Sequence, residues 1–295
     1  ATAETLGNRG INSVADLTAV VPSFTLTQSY QGVPAYTLRG IGFNAVNMSA
    51  TSTVGVYLDE VAYPYPILNS GPIFDMQRDE VRDLGELELP TEEFDAMVRG
   101  ETGNYETYNT EGMASGPLGD AVAGRLAFRT EDSNEGWQKS NTRDEELGEV
   151  HRYGLRGILS FQPTEELNMD LSYNGWKIQS DSLAGQATAL SAATTSGPAA
   201  PYNIDGLTDY LANNKPDSAD QADWAPQSTR GVDIGTGTGL PGDLEEDSHL
   251  NAYALHATYA FDDDLKLVSL TGYQDMQRKG LTDFSGAPYE ILLQD

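Results

Sequence analysis

From about residue 93 onward, apolar and polar side chains alternate with a period of two, the signature of half-buried β-strands. In 167–177, Leu167, Met169, Leu171 and Tyr173 fall on one face, and Asn168, Asp170, Ser172 and Asn174 on the other. The run before it sets Tyr153, Leu155, Leu159 and Phe161 against Arg152, Arg156 and Ser160. Residues 121–129 set Val122, Leu126 and Phe128 against Arg125 and Arg129, and 250–261 set Tyr253, Leu255, Tyr259 and Phe261 against His256 and Thr258. Over 265–277 the alternation blurs. Short turns are expected at Gly119-Asp120, at 162–166 and at 262–264. Between them lie long polar connections at 131–148 and 179–248, and another opens after Arg278.

The first ninety residues follow a different pattern. Ile11-Asn-Ser-Val-Ala-Asp-Leu-Thr-Ala-Val-Val-Pro22 reads as a short amphipathic helix, with Asn12 or Ser13 as its cap and Pro22 as its stop. Two strand-like runs follow, Tyr36-Thr-Leu-Arg39 and Thr53-Val-Gly-Val-Tyr-Leu58, separated by a Gly- and Asn-rich loop over 40–50. The Pro- and Tyr-rich stretch 63–72 reads as a second loop.

A strict order of short and long connections puts every tight turn at one end of a sheet and every long loop at the other. Outer-membrane barrels have this arrangement, whereas soluble sandwiches mix loop lengths at both ends. Phe128, Trp137, Phe161, Trp176, Phe261 and Tyr273 sit near strand ends, where girdle residues meet lipid headgroups. On pattern alone a soluble β-sheet protein with core aromatics also fits.

Composition narrows the function. With 17 basic against 45 acidic residues the formal charge is −28, so the surface repels nucleic acid. No cysteine is present, which excludes disulfides, zinc–thiolate sites and thiol catalysis. No run approaches the roughly 18 apolar residues of a membrane helix, and the start Ala1-Thr-Ala-Glu lacks the regions of a signal peptide. No catalytic constellation stands out. His151, His249 and His256 lack the i, i+4 spacing of a metalloprotease pair, and each reads as an ordinary strand or junction residue. The glycine-rich 231–242 has neither a strand before it nor a helix after it, and reads as a loop. Asp243-Leu-Glu-Glu-Asp247 and Asp262-Asp-Asp264 depart from the order of an EF-hand and read as solvated loop acids. No catalytic residue, metal ligand or cofactor is assigned.

Five segments in one order carry a resemblance: Ile11-Asn-Ser-Val-Ala-Asp-Leu, Val21-Pro-Ser-Phe, Leu38-Arg-Gly-Ile-Gly-Phe-Asn44, Thr53-Val-Gly-Val-Tyr-Leu-Asp-Glu-Val61 and Phe74-Asp-Met-Gln-Arg-Asp-Glu-Val81. In order and spacing they resemble the plug domain of TonB-dependent outer-membrane receptors. Pro90-Thr-Glu-Glu-Phe-Asp, Ser115-Gly-Pro-Leu-Gly-Asp, Gly124-Arg-Leu-Ala and Tyr153-Gly-Leu-Arg-Gly look like the opening barrel hairpins of the same family. Two departures stand out. The family's Gly-rich continuation after the segment at 74–81 is replaced by Arg-Asp-Leu-Gly-Glu-Leu-Glu-Leu-Pro90, and no TonB box is recognisable near the start.

The resemblance implies a mainly β fold: a partial α/β plug domain over 1–90, shortened at its C-terminal side, then antiparallel strands of an incomplete transmembrane β-barrel over 91–295. The long loops 131–148 and 179–248 would be extracellular. Seven strands are expected, with an eighth starting at Pro288-Tyr-Glu-Ile-Leu-Leu-Gln-Asp295. An eight-stranded barrel is filled by its own side chains, and an open membrane edge leaves backbone groups unpaired, so further polypeptide is expected to complete the wall.

The function implied is substrate uptake through the outer membrane, energised by a TonB-type coupling protein, with no covalent chemistry. Siderophores, cofactors and oligosaccharides all fit the family, and the scarcity of loop cations leans away from strongly anionic chelates. Lipid and lipopolysaccharide would be the other partners. At the plug apex, Asn44, Asn47, Tyr63, Tyr65 and Asn69 are the candidate ligand contacts. Arg39, Arg78 and Glu80 are the candidate plug–barrel ties, with Arg39 pairing to barrel carboxylates. An acidic soluble or surface-attached β-sheet binding protein without transport is the competing reading. It requires polar residues on both strand faces.

Overall fold

The computed structural model describes residues 13–19, 21–28, 33–42, 51–78, 86–87, 89–188, 205–227, 242–262, 264–288 and 293–294. The N-terminal helix expected over 11–22 is a single 3₁₀ segment, Val14–Ala19. At its start the Asp16 carboxylate accepts from the Ser13 backbone N–H at 2.9 Å and from the Ser13 hydroxyl at 2.8 Å. Residues 11 and 12 lie outside the described residues.

Strands β1 (Phe24–Gln28), β2 (Pro34–Leu38) and β3 (Ile41–Gly42) form a small antiparallel sheet, and β4 (Val56–Leu58) pairs with β5 (Val61–Tyr63). The stretch 63–72, expected as loop alone, contains a 3₁₀ turn at Pro66–Asn69 in which Pro66, Ile67 and Leu68 are buried. Pro66 suits the first position because its missing N–H would be unpaired there anyway. Strand β6 (Met76–Arg78) then pairs with β7 (Glu86–Leu87).

The alternating region begins at β8 (Asp95–Gly103) and continues through β9 (Thr107–Gly119) and β10 (Val122–Ser133). After β11 (Gln138–Ser140) and β12 (Glu146–Leu147) come β13 (Val150–Phe161) and β14 (Leu167–Asp181). Helix α1 (Asp205–Asn214) and β15 (Gln221–Ala222) precede β16 (Glu245–Ala260) and β17 (Lys266–Gly280). Seven of these strands make one antiparallel sheet in the order β17-β16-β14-β13-β10-β9-β8.

Two expectations about the connections change. The turn joining β8 to β9 is only three residues, 104–106, yet lies at the long-loop end. Tyr105 and Glu106 both adopt left-handed backbone there, at φ 60° and 48°, as a tight hairpin turn with matching twist requires. The segment foreseen as an eighth strand does not extend the sheet: β18 (Thr282–Asp283) pairs with β19 (Leu293–Gln294) in a separate two-stranded ladder.

The expected division of faces is present. Leu126, Phe128, Tyr153, Leu155, Leu159, Phe161, Leu171, Tyr253, Leu255, Tyr259 and Phe261 are all exposed on the outer face, Leu126 at 57% and Leu171 at 50%. On that face Tyr173, Tyr253 and Tyr273 stand opposite one another across three strands, with ring centroids 5.1 and 6.5 Å apart. The inner face is covered by the N-terminal segment. Val14, Phe24, Tyr36, Val56, Tyr63 and Leu68 share one buried cluster with Trp176, Ile178, Leu250 and Ala252 of β14 and β16. Burying an aliphatic or aromatic side chain of this size stabilises by about 1.5–3 kcal/mol, so this seam is the main core.

Trp176, expected in an outer girdle, is therefore an interior residue at 6% exposure, donating its indole N–H to the Leu68 carbonyl at 3.1 Å. The long connections are not featureless either. Strands β12, β11 and β15 form a three-stranded sheet, packed around buried Leu147, Ala222, Trp224, Leu244 and Leu281. Within it the buried Asp223 carboxylate accepts from Tyr210 Oη at 2.7 Å and Thr142 Oγ1 at 3.0 Å, and also from the Ser140 hydroxyl.

Candidate functional site

The inner face of the sheet carries charge where the outer face carries leucine. Arg125 and Arg129 alternate with Ala127 along β10, and Arg156 lies two strand positions from Ile158 on β13; all three guanidiniums are buried. Buried arginine needs carboxylate or carbonyl partners, and the fold supplies them from two sources. Arg129 is held by the sheet itself, 2.7 Å from Glu111, 2.8 Å from Glu131 and 3.7 Å from Glu101.

Arg125 instead reaches the N-terminal segment. Its Nε donates to Asp75 Oδ1 at 3.1 Å and Oδ2 at 3.0 Å, and its Nη2 also bonds Oδ1, with side-chain exposures of 3% and 5%. Arg156 donates to the backbone carbonyls of Phe74 and, at 2.9 Å, Asp75. It also donates to Asn174 Oδ1 at 3.1 Å and lies 4.9 Å from the Phe74 ring centroid. Asn174 passes the network on, donating to Tyr63 Oη at 3.3 Å. Burial raises the Tyr63 hydroxyl above its ordinary pKa, partly opposed by Asn174 and the Arg156 charge. Farther along, Gln274 donates to the Ala62 carbonyl at 3.0 Å. Asp75 holds a left-handed backbone, φ 55°, which turns its carboxylate and the carbonyls beside it toward the sheet.

Beyond this interface, toward the long-loop end, lies a cavity of about 350 Å³. Its walls include Tyr36 and Asn69 from the N-terminal segment, Arg152, Asp181 and Arg278 from the sheet, and Trp137 from the first long connection. The volume suits a small-molecule site. Tyr36 is 1% exposed, and burial pushes its hydroxyl well above the ordinary tyrosine range. The Asn69 amide beside it partly opposes that shift, yet Tyr36 Oη and Asn69 Nδ2 are both buried without a well-formed hydrogen bond among the described residues. Arg152 Nε and Arg278 Nη1 are in the same condition. Trp137, expected in the outer girdle, lines this cavity instead.

The residues anticipated from sequence divide. Asn69 lines the cavity. Tyr63 is buried against the sheet, and Tyr65 is exposed at the start of the 3₁₀ turn. Arg39 is exposed in the turn after β2 with φ 52°, and Arg78 lies in β6, opposite Glu86. Asn44, Asn47 and Glu80 lie outside the described residues. Sequence reasoning missed Asp75, Arg125, Arg156, Asn174 and Trp176. The arginines alternating with apolar residues were noticed as a face, but no partner was assigned to them.

A sheet with tight turns at one end, long structured loops at the other and an N-terminal segment seated on its inner face is the architecture of outer-membrane receptor barrels. Solved structures share this fold. The chain is similar to the ferric yersiniabactin uptake receptor FyuA of Yersinia pestis, at 14% identity and TM-score 0.64, covering 95% of this chain and 41% of that one. It is similar to the siderophore receptor PiuA of Acinetobacter baumannii, at 10% identity and TM-score 0.62, covering 95% and 36%. It is also similar to the outer-membrane ferripyoverdine receptor of Pseudomonas aeruginosa, at 13% identity and TM-score 0.59, covering 97% and 35%. The chain thus spans about two fifths or less of these receptors' length, and at such identities the likeness is one of fold. No family model matches the sequence, and no curated protein does. Among the described residues no helix is long and apolar enough to cross a membrane, a test that says nothing of strands.

Proposed function

We propose that this chain is the N-terminal portion of an outer-membrane receptor for TonB-energised uptake of a scarce nutrient, such as a siderophore, a cofactor or an oligosaccharide. In this reading residues 1–90 are the plug, and the alternating strands from residue 91 are the first part of the barrel wall. The observation that carries it is the asymmetry of the sheet. Its inner face is fastened to the N-terminal segment by buried polar contacts from Arg125 and Arg156, while its outer face presents exposed leucine, phenylalanine and tyrosine. Lipid accounts for such a face in a monomer better than water does.

Ligand would enter between the long loops and rest in the cavity beside Tyr36, Asn69 and Trp137. Energy from the inner membrane would then displace the plug from its arginine contacts and open a path along the inner face of the wall. No bond is made or broken in the ligand, so no catalytic residue is required.

The test uses the intact gene in its own host. The protein is expected in the outer-membrane fraction, with gel mobility that shifts on boiling, as folded barrels show. Deleting the gene is expected to abolish growth on one scarce nutrient, and deleting the energy-coupling protein is expected to do the same. A monodisperse, detergent-free soluble protein would overturn the proposal.

A further inference from the structure

The ligand cavity has an uneven charge inventory. Its two cations are already engaged: Arg278 Nη2 lies 3.1 Å from Glu246, and Arg152 Nη1 lies 3.8 Å from Glu131. Glu149 and Asp181 also line the space. Among the described residues the Asp181 carboxylate accepts from backbone N–H groups, Gly148 at 2.9 Å and Glu149 at 3.0 Å. Asp243 and Glu245 stand close enough to act on it and on each other. The nearby histidine is His151, whose Nε2 is 3.8 Å from Glu149 and whose Nδ1 already meets Asp132 at 3.1 Å. The rest of the long connection adds nothing to reverse the sign, since 189–204 and 228–241 together contain one Arg230 and one Asp233.

We propose that the cavity holds a net negative potential and selects a neutral or cationic polar ligand, excluding polyanionic ones. This rests on reading the cavity as the ligand site. Burial raises both Asp181 and Glu245 above ordinary carboxylate pKa values; at Glu245 repulsion from Asp243, Asp181, Asp247 and Glu149 adds to it, while at Asp181 the Glu149 and Gly148 N–H groups and His151 oppose it. Shape chemistry agrees. Tyr36 Oη, Asn69 Nδ2, Arg152 Nε and Arg278 Nη1 are buried with hydrogen-bonding capacity to spare among the described residues, beside carboxylates that only accept. A ligand bearing both hydroxyl or ammonium donors and uncharged oxygen acceptors satisfies both sets. A multiply charged anion satisfies the donors and meets repulsion from the acids. Trp137 adds a flat apolar surface.

The charge is measurable without knowing the ligand. Trp137 lines the cavity, while Trp176 and Trp224 are buried. Quenching of Trp137 fluorescence by caesium, iodide and acrylamide is measured on the intact receptor in non-ionic detergent. The Trp137→Phe protein is subtracted, and each quencher is normalised to its effect on free N-acetyltryptophanamide.

The caesium-to-iodide ratio is expected to exceed unity by about threefold or more at ~0.1 M ionic strength, and to fall toward one at ~1 M, where the screening length is about 3 Å. In the Glu149→Gln/Asp181→Asn protein the ratio should drop at low salt with acrylamide quenching unchanged. Should that variant fail to fold, the ratio in the unmodified protein decides alone. A ratio at or below one at low salt overturns the proposal, even if uptake is found. A ratio well above one with no uptake phenotype overturns the receptor reading and leaves the charge assignment standing.

Discussion

Replacing Asp75 by Asn tests the interface between the N-terminal segment and the sheet most directly. The change is nearly isosteric and keeps one acceptor oxygen, but it removes the charge that faces Arg125 across three hydrogen bonds. Both side chains are almost wholly enclosed, at 3% and 5% exposure, so water cannot take the place of the carboxylate. Breaking a buried ion pair on one side costs about 3–5 kcal/mol, because the surviving charge stays desolvated. At about 1.4 kcal/mol per factor of ten, the population with the N-terminal segment displaced should rise by roughly two to three and a half orders of magnitude. The backbone contacts from Arg156 to Phe74 and Asp75 do not depend on the carboxylate, so the lower end of that range is expected. Amide hydrogen exchange read peptide by peptide is the assay. Peptides covering 56–75 should lose protection while those in β13 and β14 keep theirs. Replacing Arg125 by Leu in the Asp75→Asn background should restore much of the protection, since an uncharged pair leaves nothing stranded. Unchanged exchange at 56–75 in the single variant, or strictly additive losses in the double, would refute the reasoning.

Three further outcomes follow from other parts of the molecule. Leu171→Arg, at the middle of the outer face, should destabilise the protein by about 2–4 kcal/mol in lipid vesicles; near-neutral behaviour there in a chemical denaturation series would place that face in water. Gly154→Ala should push the N-terminal segment off the wall, because a Cβ there would come within 2.4 Å of Phe74 Cε1 and 3.0 Å of Pro72 Cγ; exchange at 71–75 should rise, and trimming Phe74 to Leu should partly rescue it. The loop rim should also respond to pH. Asp181 and Glu245 have folded pKa values raised above their ordinary 3.8 and 4.5, so their cost to the folded rim is absent below those values and grows as pH climbs through the raised ones. Amides at 148–151 and 245–248, corrected for intrinsic exchange rate, should therefore be better protected near pH 4, about the ordinary values, than near pH 7.5. The reverse trend would show that neither acid is desolvated.

How much of this was legible in the chain depends on how local each cause is. The alternation of Leu126 and Phe128 with Arg125 and Arg129 is a property of neighbouring residues, and the two faces follow from it directly. Trp176 shows where residue type misled: an aromatic near a strand end suggested a girdle. Yet position 176 shares the parity of Asn174 and Ser172, the inner set, and parity decides the face. The tie between Asp75 and Arg125 spans fifty positions, and nothing near Asp75 announces it. Arg39 drew attention as the arginine of a recognisable segment, whereas the ion pair found here puts the arginine on the wall and the carboxylate on the N-terminal segment. The small sheet of β11, β12 and β15 was equally hidden, because two- and three-residue strands leave no periodic trace and are held by distant partners such as Asp223 and Trp224.

If the chain is the outer-membrane receptor proposed above, the tyrosine row has a consequence for what the cell displays. From Tyr173 to the end of β14 at Asp181 the strand continues for eight residues, about 26 Å along its path and, at a tilt near 45°, roughly 19 Å in height. Strands β16 and β17 run on similarly past Tyr253 and Tyr273, and their outward side chains change there to His249, Asp247, Gln277 and Lys279. If the row sits at the headgroups, this upper stretch is a parapet standing clear of the bilayer, wet on its outward side and packed against the N-terminal segment on the other. In the proposed receptor reading, residues 175–181, 245–251 and 275–280 would offer an antibody raised against whole cells a rigid epitope beneath the long loops.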